Sequence, residues 1–247
     1  MSHTPPPARL GFLYPGHAAE DDYPLMGSMI EPPAQITLIH TEFLEDAHTV
    51  EALSEMGSVS RLSKGAEALA GSGIESVMWT STSASFVLGL DGIRQQIDTL
   101  EKLLGVPAST TAMAFARAVK AIDAKRVAIA ATYPEEVAQR FRAFLNHFDI
   151  EGVHLASRGI ITAAEVGLLE KDAVIEFALA NVREEADALL MPDTALHSSA
   201  WLTDLEQAIG QPILTANQVS FWEALRLCGK LSPQSGLGSL FEHMPED

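Results

Sequence analysis

The chain has 247 residues, 47% of them hydrophobic, enough for a well-packed core in one domain or two small ones, which excludes a disordered polymer. Its formal net charge is −17 and its 16 Lys and Arg are scattered, so neither nucleic acid nor an anionic membrane is an expected partner, because phosphate recognition needs a concentrated basic face. One cysteine, Cys228, allows no internal disulfide, no metal-type Cys/His spacing occurs, and there is neither an apolar leader in Met1 to Ala8 nor a window of about 18 apolar residues, so a cytoplasmic protein is expected.

Arg9 to Tyr14 is a short apolar run closed by Pro15-Gly16, the pattern of a buried strand entering a loop. The loop expected from Gly16 to Pro33 holds Glu20-Asp21-Asp22, read as a solvated acidic run, and its length marks it as a cover for a site. Gln35 to His40 predicts a second strand. Val50 to Ala70 predicts one amphipathic helix with Ala52, Leu53, Met56, Leu62, Ala66 and Leu69 on one side. Val77-Met78-Trp79 has strand character and leads through Thr80-Ser81-Thr82-Ser83-Ala84-Ser85-Phe86 into a helix expected from Val87 to Leu104. Small hydroxyl residues between a strand and a helix offer an anion backbone N–H groups, hydroxyls and the positive end of a helix dipole. The plainer reading of the same run is an ordinary Ser/Thr helix cap. A short strand toward Thr110 and a helix from Ala112 to Ile122 complete the first half.

At Lys125 the pattern begins again. Arg126 to Pro134 echoes Arg9 to Pro15, Glu135 to Phe148 predicts a helix, Gly152 to Ala156 a strand, and Ser157 to Thr162 a turn into another helical region. Asp172 to Glu185 predicts a helix, Ala186 to Pro192 a strand ending at Asp193-Thr194, Ile213 to Ala216 a last strand and Gln218 to Leu227 a last helix. The spans Arg9–Ser81 and Arg126–Asp193 are each about 70 residues, as a duplicated half-domain would give. Strands alternating with helices imply an α/β fold of two doubly wound, Rossmann-like lobes with parallel sheets, residues 9–116 plus 217–247 in one and 117–216 in the other. Ligands sit at the carboxyl ends of such strands, so a pseudo-twofold would bring Ser81 and Asp193 to opposite sides of one cleft.

Other residues carry two readings each. His197, four residues after Asp193, is either a proton relay or a surface group; His17 either meets a substrate carboxylate or is a solvated loop histidine. Arg158 is either a carboxylate anchor or half of a surface salt bridge, and Trp201 and Trp222 read as core or interface aromatics.

Gly11-Phe12-Leu13-Tyr14-Pro15, Thr82-Ser83-Ala84-Ser85-Phe86, Ala130-Ala131-Thr132-Tyr133, Arg158-Gly159-Ile160, Leu189-Leu190, Phe221 to Leu227 and Gly238-Ser239-Leu240-Phe241 together resemble the arylmalonate decarboxylase family, within the aspartate/glutamate racemase and maleate isomerase superfamily. The resemblance implies two Rossmann-like lobes, no cofactor, and a cleft for a small carboxylate. It implies a dioxyanion hole whose hydroxyls are those of Thr82, Ser83 and Tyr133, with Thr194, Pro15 and Gly16 also binding substrate and Ile160 as an auxiliary contact. Superfamily members use one or two cysteines at strand ends, and alignment puts Ser81 and Asp193 at those positions. The implied function is a cofactor-independent lyase or isomerase acting at the carbon next to a carboxylate, with Asp193 handling the proton and Ser81 beside it. The alternative is a catalytically silent carboxylate-binding homologue. No metal site is expected, and the sequence leaves homo-oligomer formation open.

Overall fold

The computed structural model describes residues 6–242; Met1 to Pro5 of the Pro-rich N-terminus lie outside the described residues. In chain order the strands are β1 (Arg9–Pro15), β2 (Gln35–Thr41), β3 (Ser76–Trp79), β4 (Ala108–Thr110), β5 (Arg126–Ala131), β6 (Glu151–Ser157), β7 (Ala188–Met191) and β8 (Ile213–Thr215). They form two four-stranded parallel sheets, ordered β2-β1-β3-β4 and β6-β5-β7-β8. The second half therefore repeats the strand order of the first. Register places Leu13 beside Trp79 in one sheet and Ile129 beside Leu190 in the other, so the loops after β1, β3, β5 and β7 emerge at corresponding edges.

The helices are α1 (Asp22–Met29), α2 (Val50–Met56), α3 (Val59–Leu69), α4 (Ser83–Phe86), α5 (Gly89–Leu104), α6 (Thr111–Ala121), α7 (Glu135–Asn146), α8 (Ala163–Gly167), α9 (Lys171–Asn181), α10 (Leu202–Ile209) and α11 (Ala216–Leu227). Central strands such as β5 and β7 are buried along most of their length, which is why they read as near-continuous apolar runs. α11 leaves β8 and packs on β3, β4 and α6 of the first sheet. Ser220 Oγ there lies 2.7 Å from Thr111 Oγ1, and Ser76 Oγ donates to Ala224 O at 2.8 Å. Trp222 is buried in the same core, as its sequence context suggested, while Trp201 is half-buried against the second cluster. Among the described residues no helix is long and apolar enough to cross a membrane.

Three expectations need correction. The helix expected over Val50 to Ala70 breaks at Gly57-Ser58. A Cβ at Gly57 would overlap the Ala84 carbonyl oxygen, and Gln96 Nε2 donates to both Gly57 O at 2.8 Å and Ala84 O at 2.9 Å, so this close approach of two backbones ends α2; Ser58 then caps α3 by accepting from Arg61 N. The Gly16–Pro33 segment is not a plain loop, because it contains α1. Asp22 is buried, and its carboxylate accepts from Ser198 N, Ser199 N and Asn217 Nδ2, partners nearly two hundred residues away that local sequence does not reveal. Third, the hydroxyl run does not open a long helix: it enters the four-residue α4, and the 16-residue α5 starts only at Gly89, so the dipole of a long helix does not point at Ser81.

Candidate active site

Strand ends build the site. β1 delivers Tyr14, Pro15, Gly16 and His17; the loop after β3 delivers Ser81 and Ser83; the loop after β7 delivers Asp193, Thr194 and Ala195. These residues line one cavity of about 50 Å³, bounded also by Leu53, Met56, Ala163 and, from the segment after β2, Phe43, Asp46, Ala47 and His48. Gly16 takes the left-handed φ of +71°, where a side chain would be strained and would press on the Phe43 ring.

The hydroxyl run divides its labour. Thr80 Oγ1 donates to Leu13 O at 2.6 Å and pins the turn to β1, while Ser85 Oγ donates to Ser81 O and Ser81 Oγ accepts from Ala84 N, as helix caps do. Ser83 is left on the cavity wall. Thr82, between Ser81 and Ser83 in the chain, is buried, and its Oγ1 has no partner. In the other lobe Tyr133 is equally buried, its hydroxyl also without a partner, and its ring lies 5.6 Å from that of His48, which is part of the cavity wall. Native structures rarely leave such groups unsatisfied.

Asp193 is buried on the wall. Its Oδ2 accepts from the Thr132 hydroxyl and its Oδ1 from Ala195 N at 2.9 Å, which fixes the carboxylate between the ends of β5 and β7. Tyr14 OH donates to Thr194 O at 2.9 Å and accepts from Ala19 N at 3.0 Å. Burial pushes both Tyr14 and Tyr133 well above the ordinary phenol range, and the nearby Asp193 charge adds to the rise in each. At neutral pH both remain O–H donors.

The cover crosses between lobes. It follows β2 in the first half, yet the Asp46 carboxylate accepts from Ala163 N at 2.8 Å and Ala164 N at 3.1 Å at the start of α8. His48 N donates to Ile161 O at 2.7 Å, and His48 Nδ1 lies 3.2 Å from Ile160 O. This strap carries no motif, and sequence reasoning missed it together with the wall residues Leu53, Met56 and Ala163.

The fold thus brings Pro15, Gly16, Ser81, Ser83, Asp193 and Thr194 into the lining of one cavity, while Thr82 and Tyr133 are buried and outside that lining. Ile160 contributes a carbonyl to His48, not a side chain to the cavity. His197 is not on the wall: its ring lies 3.2 Å from Gly167 O and 2.9 Å from Asp21 Oδ1. Arg158 stacks on the Phe177 ring, 5.2 Å from its centroid, and donates to Ala173 O; its expected surface salt bridge is replaced by this stack. Cys228, at the end of α11, is half-buried, donates weakly to Leu225 O and lies outside the cavity wall.

A family model for arylmalonate decarboxylase matches residues 30–241. The chain belongs to the arylmalonate decarboxylase family. A curated arylmalonate decarboxylase from Bordetella bronchiseptica is 24% identical over 175 residues, 70% of this chain and 72% of that protein. Among solved structures, the maleate isomerase of Pseudomonas putida superposes with a TM-score of 0.87 at 19% identity, covering 95% of this chain and 98% of that one. A maleate cis-trans isomerase variant from Nocardia farcinica with a covalently bound succinylcysteine intermediate gives 0.86 at 20% identity over 95% and 98% of the two chains. The two-sheet α/β fold is therefore that of these enzymes, and this member of the arylmalonate decarboxylase family is an enzyme of the same type.

Proposed function

We propose that this enzyme is a cofactor-independent lyase or isomerase that acts at the carbon next to a carboxylate of a small carboxylic or dicarboxylic acid. The observation that carries this reading is the pair of buried, unpartnered hydroxyls, Thr82 Oγ1 and Tyr133 OH, one from each lobe, next to Ser81, Ser83 and His48, which line a small cavity together with Asp193. A substrate carboxylate satisfies both, with Ser83 as third donor. Loss of CO₂ or of a proton from the α carbon turns that carboxylate into an enediolate, whose charge develops in the transition state, so prearranged donors lower the barrier more than they tighten ground-state binding. Asp193, held by Thr132 and Ala195, carries the proton to or from the α carbon, opposite Ser81. Leu53 and Met56 supply an apolar side that disfavours an ionised carboxylate about to leave.

Size narrows the substrate. An apolar cavity of about 150 Å³ takes up benzene, and this one offers about 50 Å³, which supports a short-chain acid over an aryl-substituted one. The succinylcysteine of the Nocardia farcinica isomerase shows a thiol route in that protein. Here the single cysteine is Cys228, remote from the wall, so the proton chemistry falls to Asp193.

One observation favours a second reading, a silent carboxylate binder: both oxygens of Asp193 already accept hydrogen bonds, as a structural carboxylate would. Incubation with malonate, methylmalonate, maleate and an amino-acid panel in D₂O, followed by NMR, separates the two. The enzyme gives α-deuteration, CO₂ loss or cis-trans conversion; the binder gives shifted resonances with no exchange.

A further inference from the structure

At the rim of the cavity the fold joins three residues that the chain keeps apart. Glu20 Oε1 lies 3.0 Å from His17 Nδ1 and 3.3 Å from His40 Nε2, and the three ligand atoms all fall within 4.8 Å of one another. The two imidazoles face each other with centroids 3.9 Å apart and planes inclined by 37°. Two ligand atoms bound to one metal at about 2.0–2.2 Å stand roughly 3.0 to 3.4 Å apart in an octahedral or tetrahedral shell. Both separations from the carboxylate oxygen match the edges of such a shell.

The donors are also held. The second carboxylate oxygen of Glu20 accepts from Ala18 N at 2.8 Å, which orients the group, and His40 is anchored on β2 with its ring 6.5 Å from that of Tyr14. Two histidines and one carboxylate form an N₂O set that suits a borderline transition-metal ion better than Mg²⁺ or Ca²⁺, and three protein ligands leave a position for water or another ligand. His17 belongs both to this trio and to the cavity wall, so the trio stands at the entrance to the cleft.

We propose that His17, Glu20 and His40 form a binding site for a divalent transition-metal ion of the Zn²⁺ or Co²⁺ class at the mouth of the cavity. The inference is independent of the reaction proposed above, and its test reads binding alone. The full-length, untagged protein, freed of metal, is titrated with CoCl₂ and ZnCl₂ by calorimetry, with the visible absorption of Co²⁺ as a second readout. One equivalent is expected, and Glu20→Gln and His40→Ala should each weaken it at least about tenfold, whereas His147→Ala, an exposed histidine on α7's C-terminal cap, should leave it unchanged. Thermal melts establish that each variant is folded, and His40→Gln replaces any that is not. The proposal is overturned if no stoichiometric uptake occurs, if uptake survives both substitutions, or if Mg²⁺ binds as tightly as Co²⁺, which would place binding on the acidic surface at large.

Discussion

Thr82 and Tyr133 place buried hydroxyls where the protein itself provides no partner, and the proposed function gives both a substrate carboxylate to meet. Thr82→Val and Tyr133→Phe each remove a donor at nearly constant size, so turnover or affinity for the cognate acid should fall by about 1–3 kcal/mol, with melting temperature little changed; calorimetry and rate measurements on both variants check this. Asp193→Asn keeps the shape and one of the two acceptor oxygens while removing the carboxyl group that would carry the proton, so turnover should drop by roughly 10² or more while the acid still binds. If Asp193→Asn turns over at the wild-type rate, the proton passes elsewhere, and Ser81 is the next residue to replace. Cys228→Ala should retain full activity, since burial pushes that thiol above its ordinary range and it lies off the cavity wall. The placement of Ser81 and Asp193 was legible because each follows an apolar run that ends in a turn. Of the two readings of His197 the structure favours the surface one, and spacing from Asp193 along the chain could not tell them apart because Asp21 and Gly167, which hold its ring, are distant in sequence.

At the scale of elements, hydrophobic periodicity found β1, β2, β5 and α11 but could not see where two backbones meet. Gly57 is the clearest case: a helical pattern runs straight through it, and only the Ala84 carbonyl packed against it explains the break. Gly57→Ala should therefore destabilise the fold by about 1–3 kcal/mol through overpacking, read as a lower midpoint in urea, and should displace α4, which carries Ser83. α1 was hidden for a related reason, since its buried Asp22 reads as a surface acid until Ser198, Ser199 and Asn217 are in place. The strap depends on Asp46. Asp46→Ala removes the acceptor for two amide protons at the start of α8, so hydrogen exchange at Ala163 and Ala164 should accelerate while the protein stays folded.

For the molecule as a whole, the repeat of about 70 residues predicted two like sheets, and the strand orders agree. What the sequence could not give was the way distant charges set stability. The N–H groups of Lys125 and then Arg126 hold the Asp187 carboxyl below its ordinary range at the junction of β5 and β7. A group depressed in the folded state adds stability above the unfolded carboxylate range and loses it as pH falls through the folded one. Burial acts in the opposite sense on Asp22, lifting it despite the bonds from Asn217, Ser198 and Ser199, so its effect on stability worsens as pH rises through the carboxylate range. Urea midpoints followed from neutral to acid pH should show a smaller decline in Asp187→Asn than in wild type, and the reverse in Asp22→Asn.

The strap has a further consequence, which concerns time. Cover and floor of the cavity come from opposite halves of the chain, and the cover is fastened to the far half through Asp46 and His48. Ser83 and Asp193 are only slightly exposed, and release of those fastenings would widen the way to them. If entry waits on that release, the observed association rate levels off with rising acid concentration, and departure is slow even for a weakly held guest. Stopped-flow mixing would register both, and cutting the fastening at Asp46 should raise the plateau and shorten the residence together.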